Sequence, residues 1–215
     1  MSTELQPWIE RLPLGPIDTN AYLIINKPEC WVVDPGLWPE PLMDRIRQLR
    51  LTPTRILLTH GHCDHIAGCA DIKSAWPDAQ LCCPAGDEPM LTNADLNFSS
   101  SFGVSLICPP ADLLLEHGME LQLGPWTWKV LDTSGHTVGG VSFYCPQAQA
   151  VLTGDALFAG TIGRTDIPNG DGDRLVANIR ANLMTLPDST RVLPGHGGES
   201  TVGSEKRLNI FLVSR

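Results

Sequence analysis

The sequence predicts an α/β domain in which helices cover the faces of sheets. Short apolar strands recur along the chain, amphipathic helical segments interrupt them, and 20 Gly and 18 Pro are spread as punctuation rather than gathered into linkers. At 215 residues the chain is expected to fold as one domain, 1–215. That length buries roughly 70% of the unfolded surface, so no disulfide or structural metal is needed merely to fold. Apolar residues make up 42% and charged residues 18%, which excludes a disordered chain.

Taken in order, Ala21–Asn26 and Cys30–Asp34 are strand segments rich in Val, Ile, Leu and aromatics. Pro39–Leu49 is a helix with Leu42, Met43, Ile46 and Leu49 on one face. Arg55–Thr59 is a strand, and a helix runs from about His65 to Trp76, ended by Pro77. Further strands are Gln80–Cys83, Glu120–Leu123, Trp126–Asp132, Val141–Tyr144 and Ala150–Thr153. A helix over Arg174–Leu186 places Leu175, Val176, Ile179, Leu183 and Leu186 on one face, behind Asp173 as N-cap and ahead of Pro187. Arg191–Pro194 is the last strand. Trp31-Val-Val-Asp34 is echoed by Val151-Leu-Thr-Gly-Asp155, and Ile56-Leu-Leu-Thr-His60 by Val192-Leu-Pro-Gly-His196. Two similar halves, each ending apolar strands in Asp or His, would converge on a central cleft.

The formal charge of −9 argues against a phosphate-backbone binder, which needs a basic stripe, so no nucleic-acid partner is expected. Met1 to Leu5 are polar and acidic, with no basic n-region or apolar h-region. Apolar runs such as Ala21 to Ile25 fall far short of the ~18 residues of a membrane helix. Seven cysteines, odd in number and without framework spacing, read as reduced, buried thiols. The expected location is the cytoplasm.

Three of six histidines fall in Thr59-His60-Gly61-His62-Cys63-Asp64-His65. In an extended segment His60 and His62 point the same way. Asp64 and His65 follow as the chain enters a helix, so the segment offers two ligands to each of two adjacent positions. Imidazole plus carboxylate without thiolate suits zinc, iron or manganese. His136, Asp155 and His196 each follow an apolar strand and have a Gly neighbour, where a rigid sheet presents binding residues. His117 has no such setting and reads as an exposed turn residue. Packing alone gives no reason to crowd so many polar groups.

This ordered set resembles the metallo-β-lactamase fold superfamily over about Thr19 to His196. The resemblance implies a four-layer αβ/βα sandwich, with two mixed sheets facing each other and helices outside. It implies that His60, His62 and His136 hold one metal, that Asp64, His65 and His196 hold a second, and that Asp155 bridges them. Asp64 and Asp155 are then also the catalytic carboxylates. Two divalent ions are implied, zinc foremost, with iron or manganese as alternatives.

Within the superfamily the sequence is most similar to the glyoxalase II-like (hydroxyacylglutathione hydrolase-like) group. The similarity rests on Asp18-Thr-Asn-Ala-Tyr-Leu23, Val33-Asp-Pro-Gly36, Gly154-Asp-Ala-Leu-Phe158, Ile162-Gly-Arg164-Thr-Asp166, Pro194-Gly-His196-Gly and Ser200-Thr-Val-Gly203-x-Glu205. Only 19 residues follow His196, too few for the helical glutathione-binding domain of full glyoxalase II, so the shorter single-domain relatives fit better. The resemblance implies hydrolysis of S-acylglutathione or a similar small thioester by water activated between two ions about 3.5–4 Å apart. Arg164 either clamps a substrate carboxylate or pairs with Asp166 or Asp173. Lys206 and Arg207 could replace part of the missing glutathione contact. Asp34 either orients a metal-bound His or simply starts a turn. The competing reading is a mononuclear iron persulfide dioxygenase of the same superfamily, which shares a Gly-Arg-Thr-Asp segment and would not use His65 or His196. A non-catalytic metal-binding module is the third. Antibiotic hydrolysis is not expected as the main role, because Asp155 stands in place of a second-site Cys.

Overall fold

The computed structural model describes residues 7–213. Met1 to Leu5, read above for targeting signals, lie outside the described residues. Among the described residues no helix is long and apolar enough to cross a membrane.

One six-stranded sheet runs β1 (Trp8–Leu14), β2 (Thr19–Asn26), β3 (Glu29–Val33), β4 (Thr52–Leu57), β5 (Gln80–Pro84) and β6 (Leu113–Leu115) side by side. The first three strands are antiparallel neighbours and β3 to β6 are parallel. The second sheet has the order β14 (Ser200–Thr201), β13 (Arg191–Pro194), β10 (Ala150–Gly154), β9 (Val141–Cys145), β8 (Trp126–Asp132), β7 (Glu120–Leu123). A hairpin of β11 (Leu157–Phe158) and β12 (Thr161–Ile162) stands apart.

The period-two alternation of each central strand divides the interior into three cores. From β2, Ala21, Leu23 and Ile25 face the helices α1 (Glu40–Gln48) and α3 (Cys69–Ala75), with Leu42, Ile46 and Ile72 opposite. Tyr22 and Ile24 point the other way and join Trp31, Trp128 and Phe143 between the sheets. From β10 and β13, Val151 and Val192 face the outer helices α4 (Gly172–Asn178) and α5 (Val202–Leu208), with Leu175 and Val202. The order helix, sheet, sheet, helix is the four-layer sandwich expected from the sequence. The internal echo has a structural counterpart. The antiparallel-then-parallel set β2-β3-β4 repeats as β9-β10-β13.

Three local readings change. The helix expected from His65 to Trp76 is two short ones, α2 (Cys63–Ile66) and α3. They are broken at Gly68, whose N–H donates to the Pro35 carbonyl at 2.6 Å and where a Cβ would lie 2.8 Å from Pro39. The N-cap of α4 is Asp171, not Asp173: the Asp171 carboxylate accepts from the Arg174 N–H at 2.9 Å. The rest of that predicted helix, Ile179–Leu183, is a π-turn. All seven cysteines are buried and free, and burial pushes the Cys82 thiol up to about 11 and Cys30 to about 12.

Candidate metal centre

Strands β3, β4 and β5 run one way in the first sheet, and β8, β10 and β13 run one way in the second. Their carboxyl ends carry Asp34, His60, Asp87, His136, Asp155 and His196, in that order. Ligands gather at such strand ends in α/β folds. The sheets are stitched together there by main-chain bonds, Asn20 N–H to the Gly195 carbonyl at 2.7 Å and Val141 N–H to the Thr59 carbonyl at 2.8 Å.

The structure brings all seven expected ligands into one cluster. Ligand atoms of His60, His62 and His136 lie within 4.8 Å of one another, and so do those of Asp64, His65 and His196. A third group, His60, His65 and Asp155, joins the two. Asp155 stands between them. Its Oδ1 is 3.3 Å from His65 Nε2, and its Oδ2 is 3.7 Å from the Nε2 of both His136 and His196.

Outer hydrogen bonds fix which nitrogen faces inward on four of the five rings. His136 Nδ1–H donates to the Arg164 carbonyl at 2.8 Å, and His196 Nδ1–H to the Ile17 carbonyl at 3.2 Å. His65 Nδ1–H donates to Asp34 Oδ2 at 3.0 Å. The Thr59 hydroxyl donates to Asp34 Oδ2 at 2.7 Å, which leaves its oxygen to accept His60 Nδ1–H at 3.0 Å. Four Nε2 lone pairs therefore point into the cluster, where His62 Nδ1 joins them 3.0 Å from His136 Nε2.

This arrangement fits metal ions. His60 Nε2, His65 Nε2 and Asp155 Oδ1 are buried without a hydrogen-bond partner. Each such atom costs about 1–3 kcal/mol unless something else satisfies it. Burial, then the neighbouring imidazoles, hold His60 well below the usual imidazole range; burial and His136 hold His62 down at about 3. Both are thereby kept as neutral donors. At the other group, burial opposes charge on His65, but Asp64, Asp155 and Asp34 outweigh it and hold the ring well above its usual range. Three carboxylates around one buried ring call for a positive charge there. Asp64 is itself held well below the carboxylate range, its burial outweighed by His65, His196 and the Thr19 hydroxyl.

Backbone shape leaves room for these groups only at glycine. A Cβ at Gly195 would fall 2.3 Å from Asp155 Oδ1, and one at Gly154, where φ is +48°, would fall 2.2 Å from the Thr59 hydroxyl. Asp34 itself has φ +50°, a conformation that Asp and Asn tolerate better than most residues.

Of its two readings, Asp34 takes the orienting one: buried, it accepts from His65, the Thr59 hydroxyl and, at 2.8 Å, the Thr59 N–H. Asp34→Asn is expected to weaken metal affinity about 10–100-fold, because an amide must turn a donor toward Thr59 or His65. Competition against a chromophoric chelator measures this; unchanged affinity would remove Asp34 from the centre.

The expected substrate cations lie elsewhere. The Arg164 guanidinium is exposed and paired with Asp166 at 2.9 and 3.0 Å, as its second reading had it, and only its carbonyl touches the cluster. Lys206 Nζ is held by Asp188 at 2.7 Å and the Leu186 carbonyl at 3.2 Å, and Arg207 faces the same Asp188. Asp188 precedes β13, whose far end leads to His196, so the pair is a strand's length from the cluster. His117 is exposed in a turn, as expected, with its Nδ1 accepting from the Asp132 N–H at 3.0 Å.

One residue escapes the sequence reading. Asp87, fully buried, accepts from the Gly61 N–H at 3.0 Å, the Gly139 N–H at 2.7 Å and the Thr137 hydroxyl at 2.7 Å. It ties the His60–His62 turn to the loop of His136. Its signal was an acid three residues after Pro84, the end of the strand beside β4.

The profile of the metallo-beta-lactamase superfamily matches residues 14–196. A probable metallo-hydrolase of Bacillus subtilis, YqgX, is 40% identical over 94% of this chain and 96% of its own. Hydroxyacylglutathione hydrolase GloC of Haemophilus influenzae is 33% identical over 96% and 99%. Among solved structures, the BLEG-1 B3 metallo-beta-lactamase superposes with TM-score 0.92 at 37% identity, covering 96% of this chain and 100% of that one. TTHA1623 in a di-iron-bound form gives 0.84 at 38% identity over 94% and 100%. ETHE1 from Myxococcus xanthus gives 0.78 at 28% identity over 94% and 83%. With its fold, its His/Asp cluster and its relatives in agreement, the chain belongs to the metallo-beta-lactamase superfamily of metal-dependent hydrolases.

Proposed function

We propose that the chain is a dinuclear thioesterase of the glyoxalase II-like type, hydrolysing S-acylglutathione or a similar small thioester. The observation that carries this reading is Asp155, a half-buried carboxylate with one oxygen toward His65 and the other toward His136 and His196. His60, His62 and His136 would hold one ion, Asp64, His65 and His196 the other, and Asp155 both. When bound, such a pair of divalent ions lowers the pKa of a water and polarises a carbonyl oxygen. Zinc suits the imidazole and carboxylate donors, and iron or manganese would also be accepted.

Asp34 holds His65, and through Thr59 also His60, at a fixed angle. Asp64, anchored by the Thr19 hydroxyl at 3.0 Å, is placed to orient the water. Water adds to the thioester carbonyl carbon, the C–S bond breaks, and a carboxylic acid and a thiol leave. No Ser or Cys nucleophile is required. The likeness to GloC supports the thioester, and the exposed edge of His196 gives the thiol carrier an approach.

The test is hydrolysis of lactoylglutathione and of simpler thioesters by protein loaded with zinc, iron or manganese, with nitrocefin and glutathione persulfide as alternatives. Thioester cleavage that chelation abolishes is expected. Oxygen consumption with the persulfide, without thioester cleavage, would instead place the chain with mononuclear iron dioxygenases, and β-lactam cleavage alone would also overturn the proposal.

A further inference from the structure

Beside the first histidine triad a cleft of about 100 Å³ is lined by His62, Pro89, Met90, Leu96, Val138 and Pro168, among others. Its wall is the segment after β5, and that wall is built rather than loose. Asn97 is fully buried, its side-chain amide donates to the carbonyls of Met90 at 2.9 Å and Leu106 at 3.0 Å, and its main-chain carbonyl accepts the Cys63 N–H at 2.9 Å. Phe98 follows in the left-handed region at φ +68°, with its ring 5.0 Å from that of His62. Strain of this kind at a bulky residue persists only where the surroundings over-determine it, and it gathers at ligand sites.

The chemistry of the wall is one-sided. No Lys or Arg occurs between Lys73 and Lys129. The single charged residue lining the cleft, Asp87, is committed to Gly61, Thr137 and Gly139. Leu96 and Val138 nevertheless stand 37% and 46% exposed at the rim. The Thr137 hydroxyl is spent on Asp87 and Asn169 is the one amide of the lining, so an otherwise apolar cleft that shares a metal-site histidine offers no positive charge to the carboxylates of a peptide-like carrier. It does offer burial to an alkyl chain. The bulky polar half of a substrate finds room at the opposite side of the cluster, where the His196 side chain is 27% exposed.

We propose that this cleft is the acyl subsite and takes an apolar acyl chain, so that butanoyl and hexanoyl thioesters are preferred over lactoyl or acetyl ones. The inference rests on the thioesterase reading for its reaction but not for its binding. Calorimetric binding of acetate, butanoate and hexanoate to the metal-loaded protein tests the cleft directly. N-acetylcysteamine thioesters of the same acids test the turnover. Affinity is expected to rise about threefold to fourfold per methylene, with kcat/KM following. Leu96→Asp and Val138→Asp, both at exposed rim positions, are expected to flatten the series. A flat series in the unaltered protein, a series that both variants leave intact, or alkyl thiols tightening with length while carboxylates do not would each overturn the acyl subsite. Graded carboxylate binding with no thioester cleaved would sink the thioesterase reading and leave the subsite standing.

Discussion

Asp155→Ala is expected to leave the protein able to hold no more than one ion per chain and to cut hydrolysis on the order of 10³-fold. Asp155 is the one member of the seven whose carboxylate faces both ligand groups, with Oδ1 3.3 Å from His65 Nε2 and Oδ2 3.7 Å from the Nε2 of His136 and His196. Without it, Asp64 is the only carboxylate left among the ligands to offset the charge of two divalent ions. The lost charge stabilisation is several kcal/mol, and each 1.36 kcal/mol is a factor of ten in rate. Elemental analysis alongside thioester hydrolysis reads both effects. Two ions per chain with activity within tenfold of the unaltered protein would show that Asp155 does not bridge. The fold itself should survive, because the change removes a buried carboxylate oxygen that has no hydrogen-bond partner of its own.

A methyl group does comparable damage at Gly195. Its Cβ would lie 2.3 Å from Asp155 Oδ1 and 2.7 Å from His65 Cε1. The backbone cannot retreat, because the Gly195 N–H donates to the Gly154 carbonyl at 2.8 Å and the Gly195 carbonyl accepts from Asn20 at 2.7 Å. The side chains must yield instead, and a displacement near 1 Å in such a site costs on the order of 10²-fold. Gly195→Ala is therefore expected to lose at least that much activity and to weaken the ion held by Asp64, His65 and His196. Gly198, with open space where its Cβ would go, supplies the control: Gly198→Ala should stay within a few-fold. Equal behaviour of the two variants would contradict the packing argument.

The cluster was legible because its residues carry their own geometry. His60 and His62 alternate on an extended segment, and Asp64 and His65 enter a helix. His136, Asp155 and His196 each follow an apolar strand beside a glycine. What escaped depends on tertiary contacts. β1 contains Pro13, and its faces are mostly part-exposed, so it lacks a clean alternation. β6 is three leucines that become a strand only by pairing with β5. α5 contains Gly203, which reads as a breaker until the approach of Asp188, 2.9 Å from where a Cβ would sit, explains it. Asp171 and Asp173 are equally good caps by composition, and only the start of α4 at Gly172 chooses between them. Lys206 and Arg207 stand out in the sequence by charge alone, and charge does not say that Asp188 is waiting for them. Asp87 went unread because a lone acid after a strand has no local mark of burial.

The proposed activity depends on one arrangement, in which seven side chains would hold two ions across one bridging carboxylate. Its most direct test is metal content per chain, by elemental analysis of protein stripped with chelator and reconstituted with zinc, iron or manganese in turn. Saturation at two ions per chain is expected for at least one of these metals, with hydrolysis appearing as the second site fills. Saturation at a single ion for all three would contradict it, and would take Asp64, His65 and His196 out of the metal centre.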